Sequence, residues 1–256
     1  MAIHHPFRRT YRPFTDGDYT EGGRSGYVDH PKFAQNPGNY IRAFLLLQKD
    51  LQGLFEYIDP ADDNSDCYSY RIHALLLRAC IEVEANCRAI LKENGYVKKN
   101  NKGEDLPMDI RDYRKINATH RLSSYQVKIP YWDGIENIRA PFAEWASEGA
   151  LPWYEAYNAT KHDRSAQFKS ASFCHLLDAC CGALVILSAQ FGTHDFSPAD
   201  AHLSLGQPND RMESAIGQYF RIRFPEDWNP DLQYDFNWQY LKDEPDPFRT
   251  HNYARV

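Results

Sequence analysis

From Ser69 to Glu93 the chain carries one unbroken apolar stripe at helical spacing, and this stretch constrains the fold more tightly than any other. Ile72, Leu75, Leu76, Ala79, Val83, Cys87, Ile90 and Leu91 recur at intervals of three and four, which lines them along one face of a helix. Asn94-Gly95 supplies the stop. A helix of that length with one apolar face must bury it against other elements. Candidate partners follow the same rule. Ile41, Phe44, Leu45, Leu47, Gln48, Leu51, Leu54 and Phe55 predict a helix from Asn39, read as its N-cap, to Tyr57. Asp59-Pro60 ends it. Pro107 opens a short helix through Tyr113, Ile116 and His120, and Pro152 opens another through Trp153, Tyr154, Tyr157 and His162. A long helix is predicted from about Ser165 to Phe191, where Ala179, Gly182 and Ala183 permit close helix–helix approach. The expected class is mainly α.

The remaining signals are strand-like or irregular. Tyr125–Ile129 alternates in the manner of a strand and stops at Pro130, and Tyr219–Phe224 reads as a second strand. Tyr234–Tyr240 is read as a third, able to pair with either. Residues 1–38 form a Gly- and Pro-punctuated arm, expected to be surface-packed or mobile, with Phe7, Tyr11, Phe14, Tyr19 and Tyr27 as anchors. Arg8, Arg9, Arg12 and Arg24 alternate with those rings in a way that permits nucleic-acid stacking. The predicted organisation is this arm, a helical domain over 39–192, and a Pro- and aromatic-rich acidic extension over 193–256 packing on the bundle.

Charge narrows the function classes only a little. With 29 Lys and Arg against 35 Asp and Glu, the net charge of −6 excludes a uniformly basic nucleic-acid coat. All of that charge resides between Pro225 and Pro247, which holds seven acids and one base, so the rest of the chain is balanced. The longest nearly apolar run, Gly182 to Phe191, is shorter than the roughly 20 residues a membrane helix needs, so no membrane association is expected. Met1–Tyr11 lacks a basic-then-apolar leader, which predicts a protein retained in the cytoplasm. The six cysteines match no zinc spacing and form no CxxC; Cys80, Cys87, Cys174, Cys180 and Cys181 fall in helical patterns, as buried reduced thiols would. No P-loop, GxGxxG or GxSxG occurs, so neither a nucleotide cofactor nor serine hydrolysis is indicated, and no metal is expected. Glu82 and Glu84 read as helix-surface carboxylates paired at i,i+4 with Arg78 and Arg88.

The chemistry on offer centres on Trp153–Arg164. Tyr154, Asn158 and His162 are spaced i, i+4, i+8 and line one helical face, with Lys161 and Arg164 adding positive charge beside it. An imidazole with an amide and nearby cations suits phosphodiester cleavage: His162 moves a proton to or from a ribose hydroxyl while the cations stabilise charge on the phosphate. A structural alternative has His162 bonded to Asn158 or Asp163, tying two helices together at a solvated corner.

The helix Tyr70–Glu84, followed later by Tyr157-Asn158-Ala159-Thr160-Lys161-His162-Asp163-Arg164, resembles bacterial HEPN-like proteins over roughly Asn39 to Phe191. The resemblance implies a helical bundle decorated here with a few short peripheral strands, a homodimer, and a role in RNA binding or ribonuclease activity within toxin-type or phage-defence systems. It implies His162, Asn158, Arg164 and Lys161 as the catalytic group, without a cofactor. The family motif is an Arg followed four to six residues later by a His, and Tyr157 stands at the Arg position of the shortest spacing. Arg114 and His120 match the motif literally and form a runner-up catalytic pair; Arg24 and His30 also match but lie in the arm. The other reading is a non-catalytic helical dimer or assembly module whose Tyr-Asn-His face is structural.

Overall fold

A computed structural model describes residues 3–17, 21–194, 196 and 212–255. Tyr19 and the Arg24 side chain, both assigned to the arm, lie outside the described residues, as does 197–211. The fold is mainly α with a small antiparallel sheet. Helix α1 spans Pro37–Leu54, two residues earlier at its start than Asn39 predicts and three shorter at its end. Asn36 precedes it in the left-handed region (φ 49°), a conformation asparagine tolerates, and Pro37 supplies a ready-set first turn. Helix α2, Tyr70–Glu93, begins as its sequence dictates: the Ser69 side chain accepts from the Ile72 N–H at 3.1 Å. Helix α3 is Ile110–His120, closed at its start by an Asp109/Asp112 capping box. Helix α4 is Pro152–His162.

The long helix predicted over Ser165–Phe191 is broken. It divides into a one-turn helix α5, Arg164–Gln167, a 3-10 turn at Phe168–Ser170, and helix α6, Phe173–Phe191. The cause is a second cap. Ser172 is extended and accepts from the His175 N–H, while the Phe173 N–H donates to the Cys67 carbonyl at 2.7 Å. The backbone there pairs with the α1–α2 connection instead of continuing a helix. Helix α6 is the central element, packed most extensively against α2 and also against α1 and α4. It is long and apolar enough to cross a membrane, yet most of it is buried inside the protein. Gly182 lets α4 approach it: a Cβ there would lie 3.3 Å from the Trp153 ring. Cys80, Cys87, Cys180 and Cys181 are buried in this core, all six cysteines are free thiols, and burial pushes the Cys80, Cys180 and Cys181 thiols up.

Strands β1 (Gln126–Lys128), β2 (Ile138–Arg139), β3 (Glu213–Ser214) and β4 (Arg221–Arg223) form one antiparallel sheet in the order β2-β1-β4-β3. The two predicted strands thus pair with each other, Val127 opposite Ile222. The third does not form. Tyr234 makes only isolated bridges to Ile3 and Phe14, and Asn237 then caps a one-turn helix α7, Trp238–Leu241.

Residues 3–15 are built into the interior and are not laid on the surface. Residues 3–15 form a strap threaded between α6 and the C-terminal segment: Tyr11 N–H donates to the Ala189 carbonyl, Tyr234 N–H to Pro13, and Arg249 N–H to Pro6. Ile3, Arg9, Thr10, Tyr11, Arg12 and Phe14 are all buried. Arg9 and Arg12 are therefore interior cations, closed off from nucleic acid. Arg12 donates to the Thr119 and Leu232 carbonyls and lies over the Trp228 ring. The strap also explains one glycine. Gly192 ends α6 at φ 63°, and a Cβ there would fall 2.5 Å from the Tyr11 ring. Gly192→Ala is expected to cost about 1–3 kcal/mol, read as a lowered denaturant midpoint; an unchanged midpoint would show that the strap yields freely.

Candidate functional site

Helix α4 carries the predicted catalytic residues outward from the core. Its first turns are buried through Trp153, Tyr154 and Tyr157, Asn158 is half-buried, and Lys161 and His162 are exposed at its C-terminal end. The i, i+4, i+8 row does not stay on one environment; it climbs from the interior to solvent. Cations at the last turn are favoured by the partial negative charge of the helix C-terminus. Asp163 then turns the chain, its carboxylate accepting from the Ala166 N–H at 3.1 Å to cap α5, which starts at exposed Arg164. Lys161, His162 and Arg164 thereby share one corner.

The partners there are few. His162 makes no side-chain hydrogen bond or ion pair among the described residues, so the bonds to Asn158 or Asp163 that would tie two helices are not formed. Lys161 Nζ donates to the Tyr157 hydroxyl at 3.1 Å and lies 5.0 Å from that ring, and this bond raises the amine pKa. Arg164 lies 5.8 Å from the Tyr70 ring. The Arg114–His120 pair is not assembled. Arg114 points to the Glu148 carbonyl at 2.6 Å, whereas His120 is enclosed, with Nε2 donating to the Arg9 carbonyl at 2.8 Å and Nδ1 2.8 Å from the Thr119 hydroxyl. Burial pushes the His120 imidazole down to about 3. A ring held neutral and away from solvent cannot exchange protons with a substrate.

Behind the corner stands a polar hub between α2 and α4. The Glu84 carboxylate accepts from the Tyr154 hydroxyl at 2.9 Å and from Arg88 at 3.0 Å, and Arg88 also donates to the Tyr113 hydroxyl at 3.0 Å. Burial raises the phenols, Tyr113 to about 12 and Tyr154 further, so they stay protonated and act as donors. The Glu84–Arg88 pair is as expected, but Glu84 is a part-buried anchor for Tyr154 and not a fully solvated surface charge. Arg78 does not pair with Glu82; it crosses to Asp50 on α1 with Arg71. The available signal for the hub was Glu84 directly after Val83 and three residues before Cys87, beside the core stripe.

Among the described residues no three His, Cys, Asp or Glu side chains gather as metal ligands. The donors at the corner are cations and an imidazole, which suits an anion such as phosphate. Compared with known protein families, curated proteins and solved structures, the chain matches none.

Proposed function

We propose that this chain is a HEPN-like, homodimeric RNA-binding protein and endoribonuclease of a bacterial defence or toxin-type system, acting in the cytoplasm by acid–base chemistry. The observation that carries the reading is His162, an exposed and unbonded imidazole between the exposed cations Lys161 and Arg164. In this reading His162 takes the proton from a ribose 2′-hydroxyl as its oxygen attacks the adjacent phosphorus; the P–O5′ bond breaks, leaving a 2′,3′-cyclic phosphate, and the departing 5′-oxygen takes the proton back from the imidazolium. Arg164 and Lys161 hold the charge that develops on the phosphate oxygens, and Asn158, one turn below, orients substrate or imidazole. Glu84 and Tyr154 support the reaction only by fixing α4 to α2.

The test compares RNA cleavage, or growth arrest on expression, for the wild type and His162→Ala. Cleavage is expected to fall to background in the variant; equal cleavage by both rules out His162 catalysis. The second reading, a non-catalytic helical dimer or assembly module with a structural Tyr-Asn-His face, draws on one observation. Lys161 is turned back onto Tyr157, so one of the two cations is already engaged.

A further inference from the structure

The start of α2 presents two exposed aromatic rings, each with a cation over it. Tyr70, the first residue of α2, is 70% exposed, and the Arg164 guanidinium lies 5.8 Å from its ring centroid. Tyr68 is 45% exposed and has the Lys169 ammonium at 5.7 Å. Phe168 joins the two, 4.8 Å from Tyr70 and 5.8 Å from Tyr68, the latter edge to face. Buried His73 meets the same Phe168 ring from below at 5.8 Å. The backbone beneath is held: Ser69 caps α2, and Tyr68 pairs with Ser172 in an antiparallel bridge. Neither Arg164 nor Lys169 has a carboxylate partner among the described residues. Two large rings are thus fixed in solvent beside two unneutralised cations.

We infer that this surface binds the unpaired bases of a single-stranded RNA, one base on Tyr70 and a neighbour on Tyr68, with Arg164 and Lys169 on the phosphates. Every base has a π-face for a tyrosine to stack on, while the strand's backbone supplies the anions that the two cations lack. A duplex hides those faces within its own stack, so it gains only the charge contacts. Arg164 lies two residues beyond His162, so a strand stacked on Tyr70 passes the catalytic corner. The inference rests on the ribonuclease reading for its choice of RNA over DNA.

The measurement is fluorescence anisotropy of a short labelled oligoadenylate with the full chain carrying His162→Ala, so that cleavage does not consume the probe. Adding Tyr70→Ala is expected to weaken binding about five- to 150-fold, the loss of one stacked base. Tyr70→Phe keeps the ring and restores binding. Arg164→Ala weakens it and lowers the salt slope by about 0.7, the value for one phosphate contact on a single strand. Tyr240→Ala removes a ring that is at least as exposed but, among the described residues, has no cation over it, and leaves binding as it was. Binding that is indifferent to Tyr70→Ala, or equal for duplex RNA, overturns the inference. A stronger oligodeoxyadenylate complex overturns the assignment to RNA. Loss of a dimer in Tyr70→Ala, by light scattering, with RNA binding unchanged, reassigns the face to self-association. Tyr70-dependent binding without any cleavage by wild type sinks the ribonuclease reading and leaves the platform standing; His162-dependent cleavage with no Tyr70 effect does the reverse.

Discussion

Arg9→Ala is expected to destabilise the protein by about 3–5 kcal/mol, the cost of breaking an enclosed ion pair from one side. The Arg9 side chain is fully buried, and every group around it depends on the charge. Its guanidinium pairs with Glu93 at 2.7 Å, donates to Gln190 Oε1 at 2.7 Å and to the Gln35 carbonyl at 2.8 Å, and lies 4.8 Å from the Tyr40 ring. Gln190 is committed in turn, donating to Asn86 Oδ1 and the Ile186 carbonyl. Removing the guanidinium strands a carboxylate and an amide oxygen, and empties the volume the side chain filled. Arg9→Met with Glu93→Gln refills the space and removes the stranded charge, so the pair is expected to recover much of the loss. Urea denaturation of the wild type and these two variants checks this; a loss below about 1 kcal/mol for Arg9→Ala would mean the strap contributes little.

Acid should act on the same region. His120 is buried and held neutral down to about pH 3, and His251 is also held well below its ordinary value by burial and by the nearby Arg12 charge. The two rings lie 6.2 Å apart and both reach the Thr10 hydroxyl, so either proton would enter a site that already holds Arg12. In the unfolded chain both imidazoles protonate near pH 6.5. Between that value and the folded pKa the unfolded state binds more protons, so stability falls as pH is lowered. The contribution is fully present above about pH 7. By pH 5 His120 alone removes about 2 kcal/mol, and His251 acts in the same direction. Unfolding free energies at pH 7.5 and pH 5 should differ accordingly. His120→Asn, which cannot titrate, should flatten the dependence by one proton; identical slopes for variant and wild type would refute the account.

What could be read from the chain follows the range of the interactions involved. Helix α2 was legible because its stripe and its Asn94-Gly95 stop are both local. Strands β1 and β4 were legible because both segments alternate, but their pairing with each other was not, since it joins residues about 95 apart. The strap was not. Arg9 is buried only because Glu93 and Gln190, 84 and 181 residues away, receive it. Read alone, it is a surface arginine among aromatics. The same distance misleads at His120, whose helical spacing from Arg114 matches a motif while its ring is sealed by Arg9 and Thr10. The corner of Lys161, His162 and Arg164 was legible, since residues within four positions of one another, even across the turn at Asp163, need little tertiary information. Its foundation was not, because Glu84 and Tyr154 meet across 70 residues.

The pairing of residues 3–15 with residues 233–251 bears on how the protein is made. Thr10 and His251 touch across 241 positions, and Phe7 stacks on His251 with centroids 3.7 Å apart. Contacts of such separation close late, after the loop they span has been gathered by more local structure. On the ribosome, residues 3–15 are made before residues 233–251 and wait for them. Until then Arg9, Tyr11 and the end of α6 that Tyr11 covers stay open, a state in which chaperone binding or wrong association competes with completion.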